Sequence, residues 1–203
     1  MRQGGSNPKG GKWERDVGQA ISAWLTHGQR RDLFSRNVLS GGRFTRAESK
    51  GGLAGIPGDL MAAHPLAFTF LSSYMVECKH HQDINLFQFM VDTKKTSPLA
   101  RIIYTAQTQA SRNDLDFFLV AKQNHMPPLL LTSAVTGEAL MRSALTRNGC
   151  THILHDRNYF MAPFTYVMDH CDADAFLDRE PHPVARALPR TTNITRKQLN
   201  PGG

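Results

Sequence analysis

The feature that most constrains the fold is a helix-then-strand unit between Pro98 and Ala121. Leu99, Ile102, Ile103, Ala106 and Ala110 recur at helical spacing and share one face, and Pro98 suits a first-turn position, so the spacing predicts a helix over 98–112. Shortly after it, Phe117-Phe118-Leu119-Val120-Ala121 is apolar without alternation, the pattern of a strand covered on both faces. Such a strand needs a layer packed on each side. The expected class is α/β, a central mixed β-sheet flanked by helices.

Other segments fit that plan. Trp13, Val17, Ile21, Trp24 and Leu25 form one apolar stripe and predict a helix from Lys12 to Thr26, stopped at His27-Gly28. Phe34 to Leu39 reads as a short strand, and residues 40–58 as a basic, glycine-rich loop that is mobile without a ligand. Asp59 opens a strand that His64-Pro65 breaks, and Phe70 to Lys79 reads as a second strand, so the two are expected to pair as a hairpin. Further expectations are a short helix over 84–92, a strand at 129–132, a helix at 134–148, an edge strand at 159–168 and a helical turn at 172–178. Residues 1–11 read as a flexible N-terminus, 12–178 as one domain, and 179–203 as a basic, disordered tail.

Composition narrows the class of function. The chain has 203 residues, 40% apolar and 20% charged, enough for one domain with a sizeable core. No apolar run is long enough to span a bilayer, and the first residues lack a signal-peptide core, so a cytoplasmic protein without membrane contact is expected. Cys78, Cys150 and Cys171 are widely spaced and form no disulfide framework, which suits a reducing compartment. The net charge of +7 is unevenly placed: residues 1–50 carry ten basic against four acidic side chains, residues 179–203 five against one, and the stretch between them is mildly acidic. Basic ends around an acidic centre suit a protein that grips a polyanion and holds cations in a cleft, although solubility alone also accounts for them.

The chemistry-bearing residues lie in that acidic centre. Pro57-Gly58-Asp59 is followed eighteen residues on by Glu77-Cys78-Lys79. Alternation along a strand points Glu77 and Lys79 to the same face, and a hairpin brings Asp59 beside them. Two carboxylates can hold Mg²⁺, which keeps its other positions for water and phosphate, and a neighbouring lysine orients the water or neutralises charge. Without a metal the two carboxylates repel, and one becomes harder to ionise. Taken alone, a Glu-x-Lys on a strand reads as a surface ion pair, since the pattern is common by chance.

The pattern resembles the PD-(D/E)XK nuclease superfamily, and more narrowly its archaeal and phage Holliday-junction-resolvase-like branch. The carrying residues are Gly11-Lys12-Trp13-Glu14-Arg15, Pro57-Gly58-Asp59, Val76-Glu77-Cys78-Lys79-His80-His81, Tyr104 to Gln107, and the strand ending at Lys122, which span a little over half of the chain. The glycine directly before Asp59 departs from the nominal Pro-Asp pair. The resemblance implies a restriction-endonuclease-like core. It implies Asp59 and Glu77, with Glu14, as metal ligands; Lys79 as the catalytic lysine; and Gln107 as a further catalytic residue, for which Gln109 competes. Mg²⁺ is the implied cofactor, with Mn²⁺ able to substitute. The implied partner is DNA, branched DNA in the resolvase branch, cut by a symmetric homodimer. A nuclease of restriction or repair type, or a catalytically silent nucleic-acid-binding module, stays open beside it; the latter predicts a broken cluster, whereas every member is present.

Lys12, Arg15, Arg36, Arg43, Arg46 and Lys50 are candidate phosphate contacts, with Arg30 and Arg31 behind them; each is equally part of a solvated basic face. His80 and His81 are candidates for contact near the site. Cys150, His152, His155, His170 and Cys171 invite a zinc reading, but Cys150-x-His152-x-x-His155 has no standard finger spacing. The absence of a G-x-x-x-x-G-K-[ST] run speaks against a nucleotide hydrolase.

Overall fold

A computed structural model describes residues 8–37, 57–82, 84, 97–145, 153–155 and 159–177. Helix α1 (Pro8–Leu25) is followed by strands β1 (Phe34–Arg36) and β2 (Leu60–Ala62), helix α2 (Pro65–Leu71) and strand β3 (Tyr74–His81). Then come α3 (Pro98–Ser111), β4 (Asp116–Gln123), β5 (Leu129–Ser133), α4 (Ala134–Leu145), β6 (Ile153–His155), β7 (Tyr159–Pro163), α5 (Phe164–His170) and α6 (Asp174–Leu177). The predicted helix over 84–92 and most of the glycine-rich loop lie outside the described residues.

The main sheet has five strands in the order β3-β4-β5-β7-β6. β3 and β4 are parallel, with Glu77 opposite Leu119 and Lys79 opposite Ala121; the remaining pairs are antiparallel. Parallel neighbours require a crossover, and α3 lies in the connection between them. Its N-terminus is closed as the sequence suggests: Ser97 Oγ accepts from Ala100 N at 3.1 Å, and Pro98 opens the helix. The mixed α/β expectation is met, with helices on both faces.

The two faces hold two separate cores. Even-numbered residues of the central strands, among them Val76, Phe118 and Val120, pack against α1, α2, α4, α5 and α6. Odd-numbered ones, among them Met75, Phe117 and Leu119, pack against Leu99, Ile103, Ala106 and Ala110 of α3. All five residues of the α1 stripe are buried. Each such side chain removed from water contributes roughly 1.5–3 kcal/mol. Trp24 also donates from Nε1 to the Cys171 carbonyl at 2.9 Å, fastening α1 to the C-terminal helices. The helix stops where left-handed backbone begins, at His27 and Gly28, and Gly28 N donates back to Ala23 O at 2.7 Å. It starts at Pro8, four residues before the predicted Lys12 and within the stretch read as flexible.

The expected hairpin is not present. Residues 65–71, partly assigned to a strand, form α2, because His64 Nδ1 accepts from Leu66 N at 3.2 Å as an N-cap and Pro65 is preset for the first turn. Strand β2 pairs instead with β1, antiparallel, in a separate two-stranded sheet. The predicted edge strand over 159–168 is likewise divided. Its first half is β7, bonded on both sides by β5 and β6; its second half is α5, which buries Phe164 and Val167. α4 crosses β7 so closely that a Cβ on Gly137 would lie 2.1 Å from Phe160 Cβ, so only glycine fits there.

Candidate active site

Asp59 reaches the sheet without joining it. β3 is the outer strand, and Asp59 docks on its free edge: its N–H donates to the Val76 carbonyl at 2.8 Å, and its Oδ2 accepts from Cys78 N at 2.8 Å. The carboxylate is thereby pinned to the residue between Glu77 and Lys79. Gly58 makes this approach possible, with φ +94° and an ideal Cβ that would lie 2.5 Å from the Val76 oxygen. The glycine that departs from a Pro-Asp pair is thus required by close backbone contact. Asn37, buried at the end of β1, completes the mount: its N–H donates to Asp59 O at 2.8 Å and its Nδ2 to Gly58 O at 2.9 Å.

Glu77 and Lys79 share the odd-numbered face with Met75 and form an ion pair. Their side chains are 15% and 33% exposed, so water screens them only in part. Burial raises the Glu77 pKa above the ordinary carboxylate value, and the negative charge of Asp59 raises it further; Lys79 offsets this in part, and Glu14 adds a smaller push. Burial lowers the Lys79 pKa, but the charges of Glu77 and Asp59 outweigh it, and the ammonium stays protonated. Burial, followed by the charges of Asp59, Glu77 and Glu14, pushes the Cys78 thiol well up, so it remains neutral and is no nucleophile.

Glu14, on α1, joins the same field, but its carboxylate is bonded to Arg36 at the end of β1. Asp59, Glu77, Lys79 and Glu14 are therefore brought into one region, each with an internal partner. Glu14, Asp59 and Glu77 do not form a trio of oxygens all within 4.8 Å of one another; among the described residues that closeness belongs to His27, Asp172 and Asp174, an exposed group. Asp59 and Glu77 lie near enough for the charge of one to act on the other, and this fits Mg²⁺, which commonly takes one or two carboxylates and keeps several waters. The mutual charge of Asp59 and Glu77, each on a rigid mount, is the observation that fits a cation.

Other predicted residues fall elsewhere. Gln107 accepts from the Tyr159 hydroxyl at 2.8 Å, on β7, three strands away from β3. Lys12 and Arg15 are exposed on α1; Arg43, Arg46 and Lys50 lie outside the described residues. His80 Nε2 sits 3.0 Å from Asn124 Oδ1, and Lys122 Nζ lies 5.0 Å from the centre of the Trp13 ring. Of the zinc candidates, Cys150 and His152 lie outside the described residues; His170 stacks on Tyr166 with ring centres 4.3 Å apart, and Cys171 is buried. A cleft of about 560 Å³ opens between α1 and α5, lined by Trp24, His27, Phe164 and Met168 among others, and contains none of the four site residues. Asn37 and the Glu14–Arg36 pair went unpredicted, since no local pattern marks a contact between residues so far apart in sequence.

The family model described as Phage putative PDDEXK endonuclease matches residues 5–173. No curated protein and no solved structure matches the chain.

Proposed function

This chain belongs to the phage PDDEXK endonuclease family, and we propose that it hydrolyses phosphodiester bonds of DNA with Mg²⁺, for which Mn²⁺ substitutes. The observation that carries the reading is the anchoring of Asp59 on the backbone N–H of Cys78, the residue between Glu77 and Lys79. Asp59 and Glu77 are the proposed cation ligands, with Glu14 as a third carboxylate of the same field. A bound divalent cation supplies a more acidic water and stabilises charge that develops on the phosphate. Lys79, held protonated by the two carboxylates, places a positive charge where the attacking oxygen and the phosphate meet. The Cys78 amide fixes one Asp59 oxygen, so the other is presented in a set direction. The raised pKa of Glu77 states the same need in electrostatic terms, since its neighbourhood favours an added positive charge.

Lys12 and Arg15, exposed on α1, and Arg36 at the end of β1 are the proposed phosphate contacts among the described residues, with Arg43, Arg46 and Lys50 in the basic segment that follows β1. Among the described residues no helix is long and apolar enough to cross a membrane. The narrower proposal is a junction-resolvase-like enzyme acting as a symmetric dimer on branched DNA, and it rests on the sequence resemblance. Gln107 stays a proposed further catalytic residue on that resemblance, with its amide oxygen bonded to the Tyr159 hydroxyl in the free protein.

The deciding assay offers Mg²⁺ or Mn²⁺ with a four-way junction, a flap, single strands, linear duplex and RNA. Metal-dependent internal cleavage of DNA is expected, strongest on the branched substrates. No cleavage of any DNA with either metal contradicts the enzyme; equal cutting of plain duplex removes only the branched preference.

A further inference from the structure

The partner of Glu14 is built in from two sides. Arg36 Nε donates to Glu14 Oε2, and the two side chains are 30% and 15% exposed. On α1, Gly11 lies one turn before Glu14, and a Cβ there would come within 2.8 Å of Arg36 Nη1 and 2.9 Å of its Cζ. A glycine inside a helix is unfavourable compared with alanine; here it leaves the space that the guanidinium fills. On the other side, Arg36 stands opposite Leu60 in the β1–β2 ladder, and the next residue, Asn37, is bonded to Gly58 and Asp59. One short strand therefore carries both the mount of Asp59 and the counter-charge of Glu14.

We propose that Arg36 is the shared counter-ion of this site, neutralising Glu14 in the free protein and transferring its guanidinium to a DNA phosphate, which releases Glu14 towards the cation. The proposal rests on the nuclease reading above. It follows from the chemistry of the guanidinium, a planar fork that binds carboxylate and phosphate alike. Nε alone is committed to Glu14, while Nη1 lies against the open backbone of Gly11. A cation near Glu14 and a guanidinium on Glu14 compete for the same negative charge. A phosphate that draws the guanidinium away favours the cation, and by linkage the cation favours the phosphate equally. Arg36 is in this sense a positioning residue, acting through Glu14.

The test needs no catalysis. Mn²⁺ is titrated calorimetrically into the free wild-type protein, Arg36→Met, Gly11→Ala and Asp59→Asn; DNA binding is measured separately in a chelator across a range of salt. Arg36→Met is expected to bind Mn²⁺ at least about threefold more tightly, by removal of a nearby positive charge. It is also expected to bind duplex DNA more weakly, with a salt slope reduced by about one. Gly11→Ala displaces the guanidinium without removing it, so it is expected to tighten Mn²⁺ binding while keeping its salt slope; this variant carries the test if Arg36→Met does not fold. Mn²⁺ affinity unchanged or weakened in both variants overturns the counter-ion, as does DNA binding of Arg36→Met equal to wild type. Asp59→Asn separates the two levels. If it binds Mn²⁺ as the wild type does, the metal-site reading itself fails; if it loses Mn²⁺ while Arg36→Met and Gly11→Ala match wild type, only the counter-ion fails.

Discussion

Two carboxylates on neighbouring strands of one sheet live in opposite surroundings. Asp116, at the start of β4, accepts from its own neighbour Phe117 N at 2.8 Å, from Ser133 Oγ and from Thr136 Oγ1 at 2.5 Å. Its donors are neutral, and the Ser133 hydroxyl accepts in turn from Thr136 N at the start of α4. Glu77, in β3, has one hydrogen-bonding side-chain partner among the described residues, Lys79, and faces the like charges of Asp59 and Glu14. The first carboxylate closes a polar network that joins a strand to a helix. The second is held where its own charge is disfavoured, a setting that suits the cation binding proposed for it.

Glu77→Gln and Asp116→Ala break this comparison most directly. Glu77→Gln is expected to lower metal-dependent cleavage by about a thousandfold or more, the scale of several kcal/mol of lost charge stabilisation, while its urea midpoint stays near wild type. Asp116→Ala leaves two hydroxyls without their acceptor, one of them on fully buried Thr136, and is expected to destabilise the fold by roughly 2–3 kcal/mol in urea. Its Mn²⁺ affinity should not change. If instead Glu77→Gln unfolds the protein and Asp116→Ala removes metal binding, the roles are reversed and the comparison fails.

A smaller effect concerns pH. Only ionised Glu77 holds a cation, and its pKa is raised, so Mn²⁺ affinity should fall as pH drops through that raised value, starting above the ordinary glutamate range of about 4.3. Asp116→Ala should leave the profile in place, whereas Glu77→Gln should flatten it. Calorimetry at several pH values reads this; a fall that starts only in the ordinary glutamate range contradicts the placement of Glu77 beside Asp59.

How far these features could be read from sequence depended on the range of the interactions that set them. α3 and β4 were legible because their apolar spacing directly reflects one helix face and one doubly covered strand. The stretch Pro65 to Leu71 is apolar apart from Thr69 and fits helix or strand alike; its cap at His64 and the pairing of β2 with β1 decided the matter. Asp59 was placed beside Glu77 on the premise of a hairpin. The two do meet, by edge docking through Gly58 rather than by strand pairing. The bond between the Tyr159 hydroxyl and Gln107 was not legible, because helical position says which face a side chain is on, but not which residue of a distant strand meets it there. Arg36 was read as a DNA contact, and its tie to Glu14 was invisible, because it depends on Gly11 and β1 meeting in space.

The central claim is that Asp59, Glu77 and Lys79 form one catalytic unit, and Lys79 tests it most directly because it is proposed for chemistry rather than for holding the cation. The measurement is single-turnover DNA cleavage with Mg²⁺ by wild type and Lys79→Ala, on protein shown to be folded and with DNA affinity measured alongside. Loss of cleavage by about a hundredfold or more, with DNA binding kept within a few-fold of wild type, is the predicted result. Cleavage at the wild-type rate by Lys79→Ala contradicts the account.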